Sequence, residues 1–535
     1  MSPFEINPMS KLKQRVAGLS LDRRAVLEQR LLQAQLQRWL PPTIPRRDPS
    51  DPALLSFGQE QMWFLDQLDP GMPTYNIPDV MRLQGSLDLK ALEAGFRAVL
   101  SRHEVLRTRV GSVDGNPIAA VNENWEFSIR QFDLRDKPEA EREIEARQII
   151  REQVRQPFNI AQDLMLRATL VRLQDQQYWL LLLTHHIAWD VGSRLVLYRE
   201  LSAAYKAALA GSPLKNQELR IQYSDFAAWQ RKQLQGELFQ AHAAYWREQL
   251  GQAAHALDLP TDRPRKATPA AHGAKNFFTL PPALVEQAKA VSREQNATLF
   301  MTLLASFVVY LYALTGQNDI SIGSPMAGRN YPELEDLIGF FINTTVLRFE
   351  VSPEATFRQL VEQSRKVTLG AHAHSLPFEK LVEIVRPKRD ASRMALVQVN
   401  FRAQSSEAPQ LELPGVEVQP MPEFVDTGTS KFDLALELAP NGSNDSFLEY
   451  NSELFDPATA KDVITGFQGT LAAVLQRPDA PLGSIEVLGQ LRGRKQPVEN
   501  VADKPKAKSL KDFKRRAVDW PQPTIQTSED SKVAR

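Results

Sequence analysis

Residues Trp179–Leu201 read WLLLLTHHIAWDVGSRLVLYREL, and they contain the most informative pattern in the chain. An apolar run ends in two adjacent histidines, an aspartate follows, and an amphipathic segment continues from there. The run predicts a buried strand and the later segment predicts a helix, so the histidines lie on the connection between them. Side chains alternate along an extended chain, so we expect one histidine to face inward and the other to face a cavity.

His186 carries the chemistry that this loop can offer. A neutral imidazole near pH 7 can accept a proton from an attacking amine or hold the amine by a hydrogen bond, which suits acyl transfer. Asp190 is near enough in sequence to brace the loop. Metal binding is the rival function, but adjacent histidines lack the helical separation that zincins use, so we predict no metal. From these residues alone, a structural role for the pair stays open.

Composition limits the class of protein. A chain of 535 residues with 43% hydrophobic and 24% charged residues buries more than one core, which predicts two or more folded units. Basic and acidic residues balance at 64 each, so no overall charge draws the chain to nucleic acid or a membrane surface. The chain has no cysteine, which excludes disulfides and a cysteine nucleophile and favours a cytoplasmic location.

Four regions follow from the pattern along the chain. Residues 1–50 combine an amphipathic helix with a proline-rich linker, and they form either a docking appendage or a helix packed on the main body. Residues 51–225 and 226–490 mix helices and strands and predict two α/β lobes, and residues 491–535 predict a flexible tail. The predicted helices are Gly58–Gln67, Leu89–Arg102, Glu141–Gln156, Gly192–Ala210, Pro282–Gln295 and Leu299–Leu314. The predicted strands are Asp79–Gln84, Leu164–Arg172, Tyr178–Thr184, Ile320–Gly323, Leu396–Arg402, Lys431–Leu438 and Ser446–Asn451.

The histidine stretch resembles the HHxxxDG signature of nonribosomal peptide synthetase condensation domains. Further segments resemble the other signatures of that family, and they occur in the expected order between Leu55 and Gly489. Any one of these segments could match by chance, whereas the ordered set identifies the family. The segments are SFGQEQMWFLDQLDPGMPTYNIP from Ser56, RHEVLRTR from Arg102, YSDFAAWQR from Tyr223, IGSPMAGR from Ile322, IGFFINTTVLR from Ile338, HSLPFEKL from His374, RDASR from Arg389 and KFDLALEL from Lys431.

The resemblance implies a fold and a reaction. The fold is two chloramphenicol acetyltransferase-like lobes that form a V-shaped pseudo-dimer, with the histidine loop and a tunnel at their junction. The implied reaction forms an amide bond between a donor acyl or peptidyl thioester and an acceptor amine. Donor and acceptor peptidyl carrier proteins supply these on phosphopantetheine arms, so this chain binds no cofactor itself. We also expect a monomer that meets other synthetase modules through its N-terminal helix and its tail.

The resemblance also implies roles for individual residues. His186 is catalytic, while His185 and Asp190 are structural, and Arg329 in the AGR segment pairs with the aspartate. The candidates for lining the tunnel are Trp189, Val191, Gly192 and Ser324.

Two positions depart from the family pattern. Val191 stands where the family has glycine, with Gly192 displaced by one position, and a valine there reshapes the tunnel floor if the glycine serves a special backbone angle or a close approach. Met394 and Ala395 replace the usual Asn-Pro, which predicts a different loop shape. The Val191 change keeps open a condensation-like scaffold that recruits a tailoring enzyme without catalysis. An epimerisation domain is a further alternative, whereas the paired histidines disfavour heterocyclisation.

Overall fold

The computed structural model describes residues 43–492, except 49, 52, 69, 215–217, 254–255, 267–271, 389, 391, 404–409, 425 and 441–445. The predicted mixed α/β class is confirmed. The predicted N-terminal helix lies outside the described residues, and so does the tail from residue 493. The strands are β1 (Asn76–Gly85), β2 (Thr108–Val113), β3 (Asn116–Val121), β4 (Arg130–Asp133), β5 (Leu166–Gln174), β6 (Gln177–His185), β7 (Gly273–Phe278), β8 (Asp319–Met326), β9 (Asn343–Glu350), β10 (Val399–Ala403), β11 (Val416–Pro420), β12 (Leu434–Leu438) and β13 (Ser446–Asn451). The helices are α1 (Phe57–Leu68), α2 (Leu89–Arg102), α3 (Glu139–Val154), α4 (Val191–Leu209), α5 (Tyr223–Gln233), α6 (Gly236–Leu250), α7 (Pro282–Glu294), α8 (Leu299–Thr315), α9 (Phe357–Ala373), α10 (Phe378–Val385), α11 (Pro457–Gln476) and α12 (Glu486–Arg492).

The first sheet has the strand order β11-β1-β6-β5-β4, with β6 at its centre. β6 pairs antiparallel with β1 on one side and with β5 on the other. Alternate side chains of β6 enter two different cores: Leu180 and Leu182 pack in the core with α2 and α4, while Trp179 and Leu181 pack in the core with α3. Burial on both faces explains why the strand is a continuous apolar run rather than an alternating one.

The second sheet has the order β7-β13-β12-β10-β8-β9, and its largest core surrounds α8. β10 pairs parallel with β12 and with β8, and the other pairs of this sheet are antiparallel. Helix α8 begins at a capping box in which Thr298 accepts a hydrogen bond from the Met301 backbone N–H at 3.2 Å. It ends at Gly316, whose φ of 71° is the left-handed conformation that glycine adopts without strain.

Two elements depart from the predicted division into lobes at residue 225. Helix α5 crosses that position, and Tyr223 and Phe226 both pack in the first core. β11, from the predicted second lobe, pairs antiparallel with β1, with Val416 opposite Gly85. This long-range pairing joins the second half of the chain to the first sheet. Local sequence patterns do not predict it.

Within the described ranges, no single helix reaches the length and apolarity of a membrane span. Helices α7 and α8 reach that length and apolarity only as a pair, and they meet at a bend of 108°.

Candidate active site at the histidine loop

The strand, loop and helix follow each other as the sequence pattern predicted. β6 ends at His185, which lies opposite Asn76 in the sheet, and a single 3-10 turn begins at His186. Asp190 then caps α4, accepting a hydrogen bond from the Ser193 backbone N–H at 2.8 Å. A carboxylate at this position satisfies an otherwise unpaired N–H and interacts favourably with the helix dipole. The loop is therefore fixed at one end by sheet pairing and at the other by a helix cap.

His185 faces the interior of the first sheet. Its side chain is 5% exposed, and its ring centroid lies 5.6 Å from that of Phe158. Nδ1 accepts a hydrogen bond from the Ile187 backbone N–H at 3.2 Å, so a neutral ring carries its proton on Nε2. Burial, together with a smaller effect of the Lys431 charge, lowers the pKa of His185 to about 3. His185 is thus a neutral ring whose nitrogen supports the loop backbone.

His186 is only half-buried, and its two nitrogens differ. Nδ1 lies 2.7 Å from the carbonyl oxygen of Trp189. Because a carbonyl only accepts, Nδ1 must carry the proton, which leaves the lone pair on Nε2. Nε2 makes no hydrogen bond to any residue in the described part of the chain. Burial holds the pKa of His186 well below its usual range, and the charge of Lys431 adds to this effect.

The predicted ion pair between Asp190 and Arg329 is present. Arg329 Nη2 lies 2.9 Å from Asp190 Oδ1, and the second carboxylate oxygen accepts a hydrogen bond from the Phe341 backbone N–H at 3.2 Å. Arg329 Nη1 donates to the carbonyl of Leu337 at 2.6 Å, so the guanidinium is also tied to its own segment. Asp190 follows the first sheet and Arg329 follows β8 of the second, so this pair clamps the histidine loop across the two halves of the chain.

Gly192 provides the close approach that the sequence analysis assigned to a glycine. A Cβ built at Gly192 would lie 2.6 Å from Arg329 Nε, which is too short for any real contact. Val191, one position earlier, has ordinary helical backbone at the start of α4, and its side chain is 52% exposed. The displaced glycine therefore serves the arginine clamp, and Val191 needs no special backbone angle.

Two of the predicted tunnel residues are buried instead. Trp189 is 4% exposed and packs in the first core, and it contributes its backbone carbonyl, not its ring, to the site. Ser324 is 1% exposed, and its hydroxyl donates to the carbonyl of Phe401 at 2.9 Å. The lining role of these two side chains stays a prediction, and their burial depends on core packing that local sequence does not reveal.

Several residues that support the loop lie in the family segments but were not assigned to the site. Gln59 Nε2 donates to the carbonyl of Ile187 at 3.0 Å. The Tyr223 hydroxyl donates to the carbonyl of Phe340 at 2.7 Å, and the Phe340 ring meets the His186 ring edge-on at 4.8 Å between centroids. Lys431, whose charge acts on both histidines, was also missed. These residues all lie in segments that resemble the family signatures, which could have marked them as candidates. Their individual roles follow only from the contacts in the folded chain.

The site offers a neutral hydrogen-bond acceptor at His186 Nε2. No group of three or more histidine, cysteine, aspartate or glutamate side chains positioned to hold a metal occurs among the residues described here. The free lone pair of His186 Nε2 can accept a hydrogen bond or a proton from a nucleophile such as an amine. An imidazole held between two mixed sheets by a capped helix and an ion pair is a site suited to acyl transfer.

Comparison with solved structures defines the class. The chain has the chloramphenicol acetyltransferase-like fold of condensation domains. It is similar to the X-domain in a complex of the X-domain and OxyB from teicoplanin biosynthesis, with a TM-score of 0.73, 25% identity and coverage of 83% of this chain and 98% of that one. It is similar also to the SgcC5 protein from Streptomyces globisporus, with a TM-score of 0.68, 28% identity and coverage of 80% and 99%.

Comparison of sequences gives the family. Residues 50–496 match the family model described as Condensation domain. The chain is 38% identical over 488 residues to a linear gramicidin synthase protein from Brevibacillus parabrevis. The match covers 91% of this chain but only 6% of that protein, so the chain spans a small part of its relative. This chain belongs to the condensation domain family of nonribosomal peptide synthetases.

Proposed function

We propose that this domain forms an amide bond between a donor acyl or peptidyl thioester and an acceptor amine. The observation that carries the proposal is the state of His186: a neutral ring, oriented by the Trp189 carbonyl, with Nε2 left without a protein partner among the described residues. An attacking amine must be held with its lone pair toward the carbonyl carbon, and Nε2 is placed to accept a hydrogen bond from its N–H.

The low pKa of His186 defines how it acts. A group whose protonated form is disfavoured by burial holds a proton only briefly, so its main contribution is to orient the amine and to relay the proton. The amine nitrogen bonds to the thioester carbon, the carbon–sulfur bond breaks, and the proton passes to the leaving thiolate. The products are an amide and a thiol. Positioning both reactants in one enclosed site contributes the larger part of the rate.

Carrier proteins are the proposed source of both substrates. The similarity to a synthetase much longer than this chain supports partners that deliver thioesters on phosphopantetheine arms. Val191, which is 52% exposed, adds an apolar side chain at the start of α4, directly after the loop. The cytoplasmic location and the monomeric state remain predictions.

A condensation assay tests the proposal. Donor and acceptor carriers are loaded with acyl and aminoacyl groups, mixed with the domain, and the products are weighed by mass spectrometry. We expect product with the wild type and roughly a hundredfold less with His186→Ala. His272→Ala, which removes an exposed histidine beside Glu453, is the matched control and keeps the wild-type rate. Equal product from wild type and His186→Ala would assign the reaction to another group.

A scaffold role is the second candidate function. It is favoured by the similar X-domain, which was solved in a complex with OxyB. If the wild type makes no product from any loaded pair yet binds a tailoring enzyme tightly, the scaffold replaces catalysis. If a loaded donor changes configuration without an acceptor, the domain is an epimerase.

A further inference from the structure

Lys431 reaches from the second half of the chain to the histidine loop. It precedes β12, and its ammonium lies over the ring of Tyr75, 4.7 Å from the centroid. Tyr75 immediately precedes β1, and its ring centroid lies 6.4 Å from that of His185. A cation contributed by one sheet is therefore held on an aromatic face beside the histidines of the other.

Glu449 is the carboxylate whose charge acts on the Lys431 ammonium, and it interacts with other groups. Glu449 has the strongest effect on its charge, but Glu449 pairs with Lys275 at 3.5 Å and accepts a hydrogen bond from the Lys431 backbone N–H at 3.4 Å. No carboxylate lies within ion-pair distance of the ammonium in the described ranges of the chain. The face of the Tyr75 ring therefore provides the stabilising contact for the ammonium among the described residues.

The charge of Lys431 acts on the His186 ring. The Lys431 side chain is exposed to solvent, yet loss of hydration lowers its pKa to about 8. His186 is half-buried, burial lowers its pKa, and the charge of Lys431 is the next largest influence on that pKa.

We propose that Lys431 is a further catalytic residue, whose ammonium stabilises the negative charge that forms on the donor carbonyl oxygen when the amine attacks. The inference rests on the proposed amide-forming function. As nitrogen bonds to the carbonyl carbon, the C=O electron pair moves to oxygen, which then faces the ammonium. When the tetrahedral adduct collapses, the electron pair returns and the thiolate leaves. The proton from nitrogen passes by way of His186 Nε2 to that thiolate, so charge and atoms balance.

Two substitutions at Lys431 test this assignment in single-turnover assays with loaded carriers. Lys431→Met keeps most of the side-chain volume and removes the charge, and we expect its rate to fall by about a hundredfold, as for loss of one oxyanion donor. Lys431→Arg keeps the charge and is expected to retain most of the rate. Lys289→Met, which removes an exposed lysine paired with Glu286 on α7, is the control and stays at the wild-type rate.

The pH profile separates catalysis from structure. The charged and titratable groups acting on this site are Glu449, Lys275, Arg402, Arg167 and His185. Because the ammonium deprotonates as pH rises through about 8, the wild-type rate should decline above that pH, whereas Lys431→Arg stays charged and should not decline.

The outcomes are distinguishable. If the wild type forms no product, the proposed function fails and the inference fails with it. If the wild type is active and Lys431→Met is as fast as Lys289→Met, only the Lys431 inference fails. If circular dichroism shows that Lys431→Met does not fold, the test is the condensation rate of wild type and Lys431→Arg above pH 8. The same decline of rate with pH in both proteins would overturn the assignment.

Discussion

Two histidine pairs in this chain show how the same residue type serves different ends. In the second half, His242 Nδ1 lies 3.3 Å from His374 Nδ1, and the His374 ring stacks on Tyr245 at 4.1 Å between centroids. Because either of these nitrogens can donate or accept, the contact leaves the tautomer of each ring open. In the loop, His186 is fixed through Nδ1 alone, and Nε2 keeps its lone pair free of any residue that the structure describes. A tautomer fixed by a backbone carbonyl, rather than the pairing of histidines, therefore distinguishes His186.

The greatest change in stability is expected at the clamp that holds the loop pair. Asp190→Ala leaves Arg329 without its partner at a buried junction, and we expect the free energy of unfolding to fall by about 3–5 kcal/mol. Asp336→Ala removes an exposed carboxylate that pairs with Arg199 at 2.8 Å, and it should cost about 0–1 kcal/mol. Urea unfolding of both variants makes the comparison. Equal losses would show that the clamp does not stabilise the loop.

A smaller effect is expected at the glycine beside the clamp. Gly192→Ala places a methyl against Arg329 Nε and should cost about 1–3 kcal/mol, because the guanidinium must move away from Asp190. Gly469→Ala in α11 meets no atom within 4 Å and should be neutral or stabilising by up to about 1 kcal/mol. Unfolding midpoints of the two variants measure the difference, and a neutral Gly192→Ala would contradict the packing described here.

Acid sensitivity is expected from the second histidine pair. Burial lowers the pKa of His242 to about 4, whereas the unfolded chain protonates it near 6.5. Between these values the unfolded state binds more protons, so stability falls as pH drops, by at most about 1.4 kcal/mol per pH unit for this residue. His242→Gln should flatten the fall measured by urea unfolding between pH 7 and pH 5. Parallel curves for variant and wild type would assign the acid sensitivity to other groups.

The least change is expected in catalysis when the second pair is altered. His242→Gln removes a ring whose nitrogen already contacts His374, on a helix separate from the histidine loop. Its rate in the condensation assay should equal that of the wild type. A loss comparable to that of His186→Ala would erase the distinction between the two pairs.

Sequence alone predicted the elements whose pattern is local. Helix α2 was predicted with its observed bounds, Leu89–Arg102, because its apolar spacing follows an Asp88 cap that accepts from the Ala91 N–H. β6 was predicted because a strand buried on both faces is a continuous run of apolar residues, which is easy to recognise in the sequence. The hairpin of β2 and β3 was missed, although Asp114 and Gly115 have the positive φ angles that a tight hairpin turn requires.

The parts of the site that were predicted are those encoded in local motifs. The pairing of Asp190 with Arg329 followed from motifs, whereas Lys431 was predicted to start a strand that begins only at Leu434. Its position beside the histidines depends on how the second sheet packs against Tyr75, which is a long-range contact. Local sequence patterns carry no information about such a contact.

The role of His186 is tested most directly by a crystal structure of the domain with a non-hydrolysable acyl-pantetheine analogue and an acceptor amine. Such a structure shows where the amine nitrogen lies relative to the His186 ring. We predict the amine nitrogen within about 3.2 Å of His186 Nε2, in a passage bounded by both sheets. A His186 ring packed on every side by protein, with no passage reaching Nε2 and the analogue bound elsewhere, would contradict the proposed role.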